Sequence, residues 1–350
     1  MTEPTEHPHV RREARRGLRP RPAGDGKLVV GLTVVVAVVL FALVGPMLTQ
    51  DPRDSDNPVL IPPEPGHWLG TTNLGYDVLA QLAEGARGSL LVGVVAGLLA
   101  IVLSLLFGVV AGYARGATDE GLSLVTNVML VIPGLPLMIV VSSYLEVRSL
   151  WVVAIILGAT AWPGAAVVLR LQTRSLRNRD YVSAARVAGE STPRLLGLEI
   201  MPNLLPLLTA QFLFAVVLSI LGEAGLSYLG LGPNGSITWG TMLNEAQGGG
   251  ALTRGAWWWF VPPVLMIAVL GCAMSLINFA IDEIIDPKLR QAPTAAKIQR
   301  RARRAGLDVT AHHDDAHAGA RTIPGDHDGS GGRAAGHEPE RGEQKERVRS

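Results

Sequence analysis

Few side chains in this sequence have the type and spacing that catalysis or ligand binding requires. Glu223 is the main ionisable group within the long apolar runs, where a carboxylate can bind a cation or a polar solute. Gly230, Gly232 and Gly235 match the glycine spacing of a dinucleotide-binding turn, but they open no helix after a strand, so a plain turn is predicted. The sequence has no phosphate loop ending in Lys-Ser/Thr, and its terminal histidines lack metal-site spacing. We therefore expect no catalytic centre, no metal site and no cofactor bound by this chain.

The shortage of charge reflects long apolar runs. Of 350 residues, 48% are hydrophobic and 17% are charged, where globular chains carry about a quarter charged residues. About 20 apolar residues in a helix cross a hydrocarbon core. Runs of this length lie at Leu28–Leu48, Ser89–Tyr113, Leu122–Leu145, Leu150–Leu169, Leu204–Leu226 and Trp258–Ile281. The pattern predicts an all-α polytopic membrane protein with six transmembrane helices, and excludes a soluble enzyme, a disulfide framework and a nucleic-acid partner.

The orientation of these spans follows from their flanking charges. Basic residues concentrate in the cytoplasmic loops of membrane proteins. Of the 31 basic residues, 27 fall in segments 1–27, 114–121, 170–203 and 286–350, and four fall in segments 49–88, 146–149 and 227–257. Both termini are therefore predicted to be cytoplasmic. Trp257, Trp258 and Trp259 are expected to lie at the external interface, where aromatic residues are enriched.

A group of residues near the external end of the fifth span forms a candidate gate. Helix length places Glu223 close to the outer surface, and Ser227 and Trp239 follow on the same side. We predict that these three residues contact solute or a partner protein at the external mouth. The alternative is a carboxylate that reaches the interface without a role in transport.

Small residues recur at helical spacing along the second span. Such a stripe lets another helix approach closely. The sequence leaves open whether that helix belongs to this chain or to a partner subunit across a dimer seam. The members of the stripe are Gly93, Gly97, Ala100, Ser104, Gly108 and Gly112.

The segment from Tyr181 to Gly189 predicts a short helix in a basic cytoplasmic loop, residues 170–203. Val182, Ala185 and Gly189 are expected to share one face of small residues. Such a face suits docking into a groove on a cytosolic protein. A helix lying on anionic lipid is the alternative, but it would favour bulkier apolar anchors than Ala and Gly.

Several segments resemble ABC importer permeases. Ser183-Ala184-Ala185, Gly189 and Pro202 fall at the spacings of the loop signature E-A-A-x3-G-x9-I-x-L-P, with Ser183 in place of Glu. Residues 67–79 are similar to the H-x-L-G-T-D-x-x-G-R-D-V-L segment of the dipeptide/oligopeptide/nickel-type permeases. Residues 226–243 and 282–290 are similar to two further segments, L-S-F-L-G-L-G…W-G-x-M-L and D-x-x-x-D-P-R-L-R. The pattern resembles the second permease of such a pair.

The resemblance implies an N-terminal helix followed by a five-helix type I importer core. It implies a homologous permease, two cytoplasmic ATPases that hold ATP and Mg²⁺, and an extracellular solute-binding protein as partners in the lipid bilayer. The ATPase-coupling residues would be Tyr181, Ala184, Ala185, Gly189 and Pro202. The expected organisation is a basic N-terminus, first span, external segment, permease domain and mostly disordered tail at residues 1–27, 28–48, 49–88, 89–285 and 286–350.

The resemblance implies peptides as the transported solute. Nickel chelates and glutathione are alternatives within the same family. An ion-coupled carrier is a further alternative, but such carriers usually keep paired charges at mid-depth, and the apolar runs of this sequence show none.

Overall fold

A computed structural model describes residues 23–285. The predicted tail, 286–350, and residues 1–22 of the predicted N-terminus, 1–27, lie outside the described residues, whereas residues 23–27 already belong to the first helix. Within 23–285 the chain forms helices and isolated bridge pairs. The helices are α1 (Ala23–Leu48), α2 (Val78–Ser104), α3 (Val110–Tyr113), α4 (Ala117–Val131), α5 (Gly134–Ser143), α6 (Leu150–Arg177), α7 (Asp180–Val187), α8 (Thr192–Arg194), α9 (Met201–Tyr228), α10 (Trp239–Gly248) and α11 (Trp257–Ile285). π-helical turns at Leu105–Val109 and Leu195–Ile200 join α2 to α3 and α8 to α9.

The all-helical membrane fold predicted from the sequence is confirmed. Five helical stretches in the described part are long and apolar enough to cross a membrane. Three of them extend well beyond the predicted spans, over Val78–Tyr113, Leu150–Arg177 and Thr192–Tyr228. The bent pair α4–α5 makes a sixth span if it is counted as one.

The second span begins at Val78, not at Ser89 as predicted from the apolar run. Asp77 caps the helix: its Oδ1 accepts a hydrogen bond from the Ala80 N–H at 2.8 Å, and its Oδ2 lies 3.0 Å from Nδ1 of His67. An N-cap carboxylate satisfies N–H groups of the first turn that have no partner within the helix. The first part of α2 is therefore helix within the segment 49–88 that was predicted as an external connection.

The third predicted span, Leu122–Leu145, is not one continuous helix but is broken in two. Helices α4 and α5 meet at an angle of 82°. Ile132, which precedes Pro133, has the extended conformation that a following proline favours (φ −71°, ψ 121°). Pro133 also lacks the N–H that would continue the helix. The apolar composition is continuous through this break, so the length of the run concealed it.

The small-residue stripe packs α2 against helices of the same chain. A Cβ added to Gly93 or Gly97 would lie within 2.8 Å of side chains on α9. One added to Gly108 would clash with the carbonyl oxygen of Ala166 on α6. Ser104 is buried, and its Oγ donates a hydrogen bond to the Trp162 carbonyl of α6 at 2.9 Å. Of the two alternatives left by the sequence, the structure uses these residues for packing within the subunit.

The connections alternate between two ends of the bundle, as six crossings require. At the end that carries α10, Asn234 N–H donates to the Arg148 carbonyl at 2.6 Å, and Trp258 Nε1 donates to the Thr71 carbonyl at 3.2 Å. Segments 49–77, 146–149 and 229–256 therefore meet there.

The opposite end carries α7. Arg177, at the end of α6, donates from Nη1 to the carbonyls of Tyr113 and Ala114 at 3.0 and 2.8 Å. The Arg186 guanidinium of α7 lies 5.9 Å from the centre of the Tyr113 ring, within range of a cation–π contact. The basic residues predict that this α7 end faces the cytoplasm.

The predicted belt of three tryptophans is wrong for one of its members. Trp257 is 58% exposed, as an interfacial residue should be, whereas Trp259 is 1% exposed and belongs to the core. Trp258 is partly buried and packs against that core while it hydrogen-bonds the loop before α2. Consecutive residues of a helix point in different directions, so a run of three cannot all face the lipid interface.

Candidate coupling helix and buried Glu223 cluster

Helix α7 is held against the bundle by its buried face. Val182 is fully buried, and α7 packs against the end of α6 and against the π-helical turn that precedes α9. In that turn Leu195 and Ile200 are also buried. A displacement of α7 therefore presses on α6 and α9 directly, because packed interiors leave little free volume to absorb it.

Gly189 ends α7 and does not share a face with Val182 and Ala185, as the sequence had suggested. Its φ of +84° is a left-handed conformation that glycine adopts without strain. The Glu190 N–H then donates back to the Ala185 carbonyl at 3.2 Å, which closes the helix. Val182 is buried, Ala185 is half-buried and Gly189 is exposed. Helix α7 ends at Val187, so Gly189 lies beyond the helical repeat that would have placed it beside Val182 and Ala185.

The outward side of α7 carries a small exposed patch that we call the α7 surface. It consists of Tyr181, Ala184, Val187 and Ala188, all of them exposed. Val187 is 89% exposed, so its side chain makes little contact with the rest of the subunit. Two of its members, Tyr181 and Ala184, were predicted from the sequence as coupling residues, and their role in coupling stays a prediction.

Pro202 lies where the loop becomes the long helix. A proline inside a helix has no N–H and its ring displaces the carbonyl four residues earlier. The π-helical turn over Leu195–Ile200, directly before Pro202, accommodates this interruption. The helix nevertheless continues from Thr192 to Tyr228, 37 residues, or about 55 Å at 1.5 Å per residue. It therefore joins the α7 end of the bundle to the α10 end.

Glu223 lies near the far end of this helix, and the structure corrects its predicted setting. The side chain is 0% exposed, so it neither reaches out to the interface nor forms an open mouth. Its Oε1 accepts hydrogen bonds from Ser227 Oγ and from Thr238 Oγ1, each at 2.6 Å. Its Oε2 is buried and has no partner among the described residues. We call Glu223, Ser227 and Thr238 the Glu223 cluster.

The Glu223 cluster fastens α10 between α9 and α2. Thr238 also caps α10, because its Oγ1 accepts from the Thr241 N–H at 3.0 Å. The next residue, Trp239, is buried; its backbone N–H donates to Ser89 Oγ at 3.0 Å and its Nε1 to the Leu82 carbonyl at 3.2 Å. Trp239 and Glu223, predicted together as gate residues, are thus both part of one closed contact between three helices.

Sequence reasoning missed Thr238 and Ser89. Both are neutral hydroxyl residues, which carry no charge signal in an apolar context. The available signal was the position of Thr238 directly before Trp239, since Thr is a favoured N-cap. The predicted turn over Gly230, Gly232 and Gly235 is confirmed: α9 ends at Tyr228, and the Leu231 N–H donates back to the Leu226 carbonyl at 2.9 Å.

The fold and these two regions define a polytopic membrane protein. Several helices cross the bilayer, a small helix lies exposed at one end, and one long helix connects it to a buried polar cluster at the other end. Among the described residues, no three His, Cys, Asp or Glu side chains are placed to hold a metal ion.

Residues 104–291, more than half of the chain, match the family model described as "Binding-protein-dependent transport system inner membrane component". The chain belongs to this family. Both the α7 surface and the Glu223 cluster fall within the matched residues. The protein is therefore the multi-pass membrane component of a transport system that depends on a binding protein.

Named relatives cover most of the chain. The oligopeptide transport system permease protein OppC of Bacillus subtilis is 32% identical over 267 residues, which are 75% of this chain and 86% of the relative. The dipeptide transport system permease protein DppC of the same organism is 32% identical over 75% of this chain and 82% of its own length. OppC of Mycobacterium tuberculosis strain H37Rv is 31% identical over 79% of this chain and 94% of its own length.

Proposed function

We propose that this chain is a permease subunit of an ATP-driven importer that moves peptides across the cell membrane. The observation that carries this proposal is the set of relatives: permeases named for oligopeptide or dipeptide transport align with three quarters of the chain. The chain has the role of a pathway and not of an enzyme. ATP and Mg²⁺ are bound by separate ATPase subunits, and solute is delivered by an extracellular binding protein. A homologous permease completes the pathway.

The mechanism follows the mechanical connection from α7 to the Glu223 cluster. An ATPase subunit docks on the α7 surface, where Ala184 and Ala188 allow close approach beside Tyr181 and Val187. Closure of the ATPases on ATP displaces α7, and the buried contacts of Val182 and Leu195 pass this movement to α6 and α9. Because α9 reaches the Glu223 cluster, α10 moves with it. Access to the pathway then switches from one side of the membrane to the other, as a two-state rearrangement driven by differential binding.

The energy source is tested by measuring uptake of a radiolabelled dipeptide in cells that express the complete transporter. We expect uptake to need ATP and the binding protein, and to persist when an uncoupler collapses the membrane potential while ATP is maintained. Replacing the phosphate-loop lysine of the partner ATPases should lower uptake at least about tenfold. Uptake that follows the membrane potential and ignores ATP would instead identify an ion-coupled carrier.

A further inference from the structure

The break between α4 and α5 opens a cavity inside the membrane-spanning region. The cavity has a volume of about 790 Å³ and lies between the α4–α5 bend, α6, α9 and one residue of α11. Ile132 and Gly134, on either side of Pro133, both line it. Irregular backbone at membrane depth is tolerated where it is buried in protein or lines a cavity, because lipid cannot satisfy its polar groups. The bend lies at the edge of such a cavity, whose lining is mostly apolar with four polar side chains.

The polar lining of this cavity is neutral. It contains Thr160 on α6, Gln211 and Ser219 on α9, and Asn278 on α11, with no charged side chain. The hydroxyl of Ser219 and Oδ1 of Asn278 are buried and have no hydrogen-bond partner among the described residues. An unpaired polar atom in an apolar interior costs free energy. Both atoms belong to residues that line one cavity, so a ligand seated there is a candidate partner for them.

The polar members of this lining match the hydrogen-bonding groups of a peptide backbone. Each peptide unit needs one acceptor and one donor when it leaves water. Amide side chains such as those of Gln211 and Asn278 offer both, and the hydroxyl of Ser219 does as well. Gln211 and Ser219 are eight residues apart on one helix, about 12 Å, which is the extended length of three or four residues. Neutral groups bind no terminal or side-chain charge tightly, so a solute that enters can also leave.

On the basis of the proposed peptide import, we propose that this cavity forms this subunit's part of the path that the solute follows through the membrane. In it, Gln211, Ser219 and Asn278 hydrogen-bond the backbone of the passing peptide and are indifferent to its side chains. These residues position the solute. The ATPases supply the energy at the α7 end, and the binding protein delivers the solute at the α10 end. The ligand class is a short peptide in extended conformation.

The proposal is tested with the assembled transporter and the double variant Gln211→Leu, Asn278→Leu. Loss of two hydrogen bonds in a desolvated site should lower the rate of uptake about tenfold or more. The loss should be similar for dipeptides with neutral, acidic and basic side chains. Stimulation of ATP hydrolysis by the binding protein, and the amount of assembled complex, should stay within about twofold of the unchanged transporter. Thr209→Val is the matched control, since this exposed α9 hydroxyl bonds only the Leu205 carbonyl and lies outside the cavity lining.

A second measurement uses Gln211→Cys in a chain that carries Cys272→Ser. Transported dipeptide should slow labelling of this cysteine by a small polar thiol reagent during ATP turnover. Wild-type uptake by the double variant, a loss confined to one side-chain charge, or labelling that ignores peptide and needs a lipophilic reagent would each overturn the assignment. The last result would mean that lipid or a helix of the partner permease fills the cavity. Absence of dipeptide uptake by the unchanged transporter would instead refute the proposed substrate class.

Discussion

Val187→Asp is expected to lower peptide uptake at least tenfold while the amount of chain in the membrane stays normal. The side chain is 89% exposed in the isolated subunit, so an aspartate there disturbs no contact within the chain. In the assembled transporter it would place a charge inside the contact with the ATPase, and burying an unpaired charge costs several kcal/mol. Uptake and the amount of ATPase that copurifies with the chain should fall together.

The control for this variant is Leu229→Asp. Leu229 is 60% exposed just beyond the end of α9, at the opposite end of the bundle. The same change of apolar to acidic side chain there should leave ATPase copurification unaffected. If Val187→Asp keeps both uptake and copurification, the α7 surface is not where the ATPase docks.

Glu223→Leu is expected to destabilise the α10 end of the chain by about 2–4 kcal/mol, the range for removing the acceptor of two buried hydrogen bonds. Ser227 and Thr238 would then lose the oxygen that both donate to. Because Thr238 also caps α10, loosening it weakens the start of that helix. The measurement is thermal unfolding of the purified transporter in detergent, followed by the fluorescence of Trp239 and its neighbours.

Glu223→Gln separates packing from charge in the same cluster. A glutamine keeps an oxygen that can accept both hydrogen bonds, so stability and uptake should stay close to those of the unchanged protein. If the glutamine variant is as stable as expected but fails to transport, the carboxylate charge itself acts on solute or on a coupled ion. In that case the cluster is not merely a clamp between α9 and α10.

The approximate positions of the five long spans could be predicted because apolar length reports bilayer crossing directly. Pro133 was the sequence signal for the break in the third span. The prediction gave more weight to the continuous apolar run around this single proline. The start of α2 was missed for the opposite reason. Its first turns, after Asp77, carry too many polar residues to read as a span, although the helix begins there.

The candidate sites were found by residue type, but their geometry was not. The loop signature located α7, whereas the inward face could be assigned only once Gly189 was seen to end the helix. Helix length placed Glu223 correctly near the end of α9. Its burial depends on α10 folding back over it, and that long-range contact leaves no trace in local hydropathy.

The central claim is that the ATPase docks on α7 at the cytoplasmic side and transmits its movement there. Cysteine cross-linking tests this claim most directly. In a chain with Cys272→Ser, Val187→Cys should cross-link to the ATPase subunit in native membranes. In the same background, Asn234→Cys, which replaces an exposed residue at the α10 end, should give no ATPase adduct and should react with an impermeant thiol reagent in intact cells. An ATPase adduct from position 234, or labelling of position 187 from outside intact cells, would contradict both the topology and the proposed coupling.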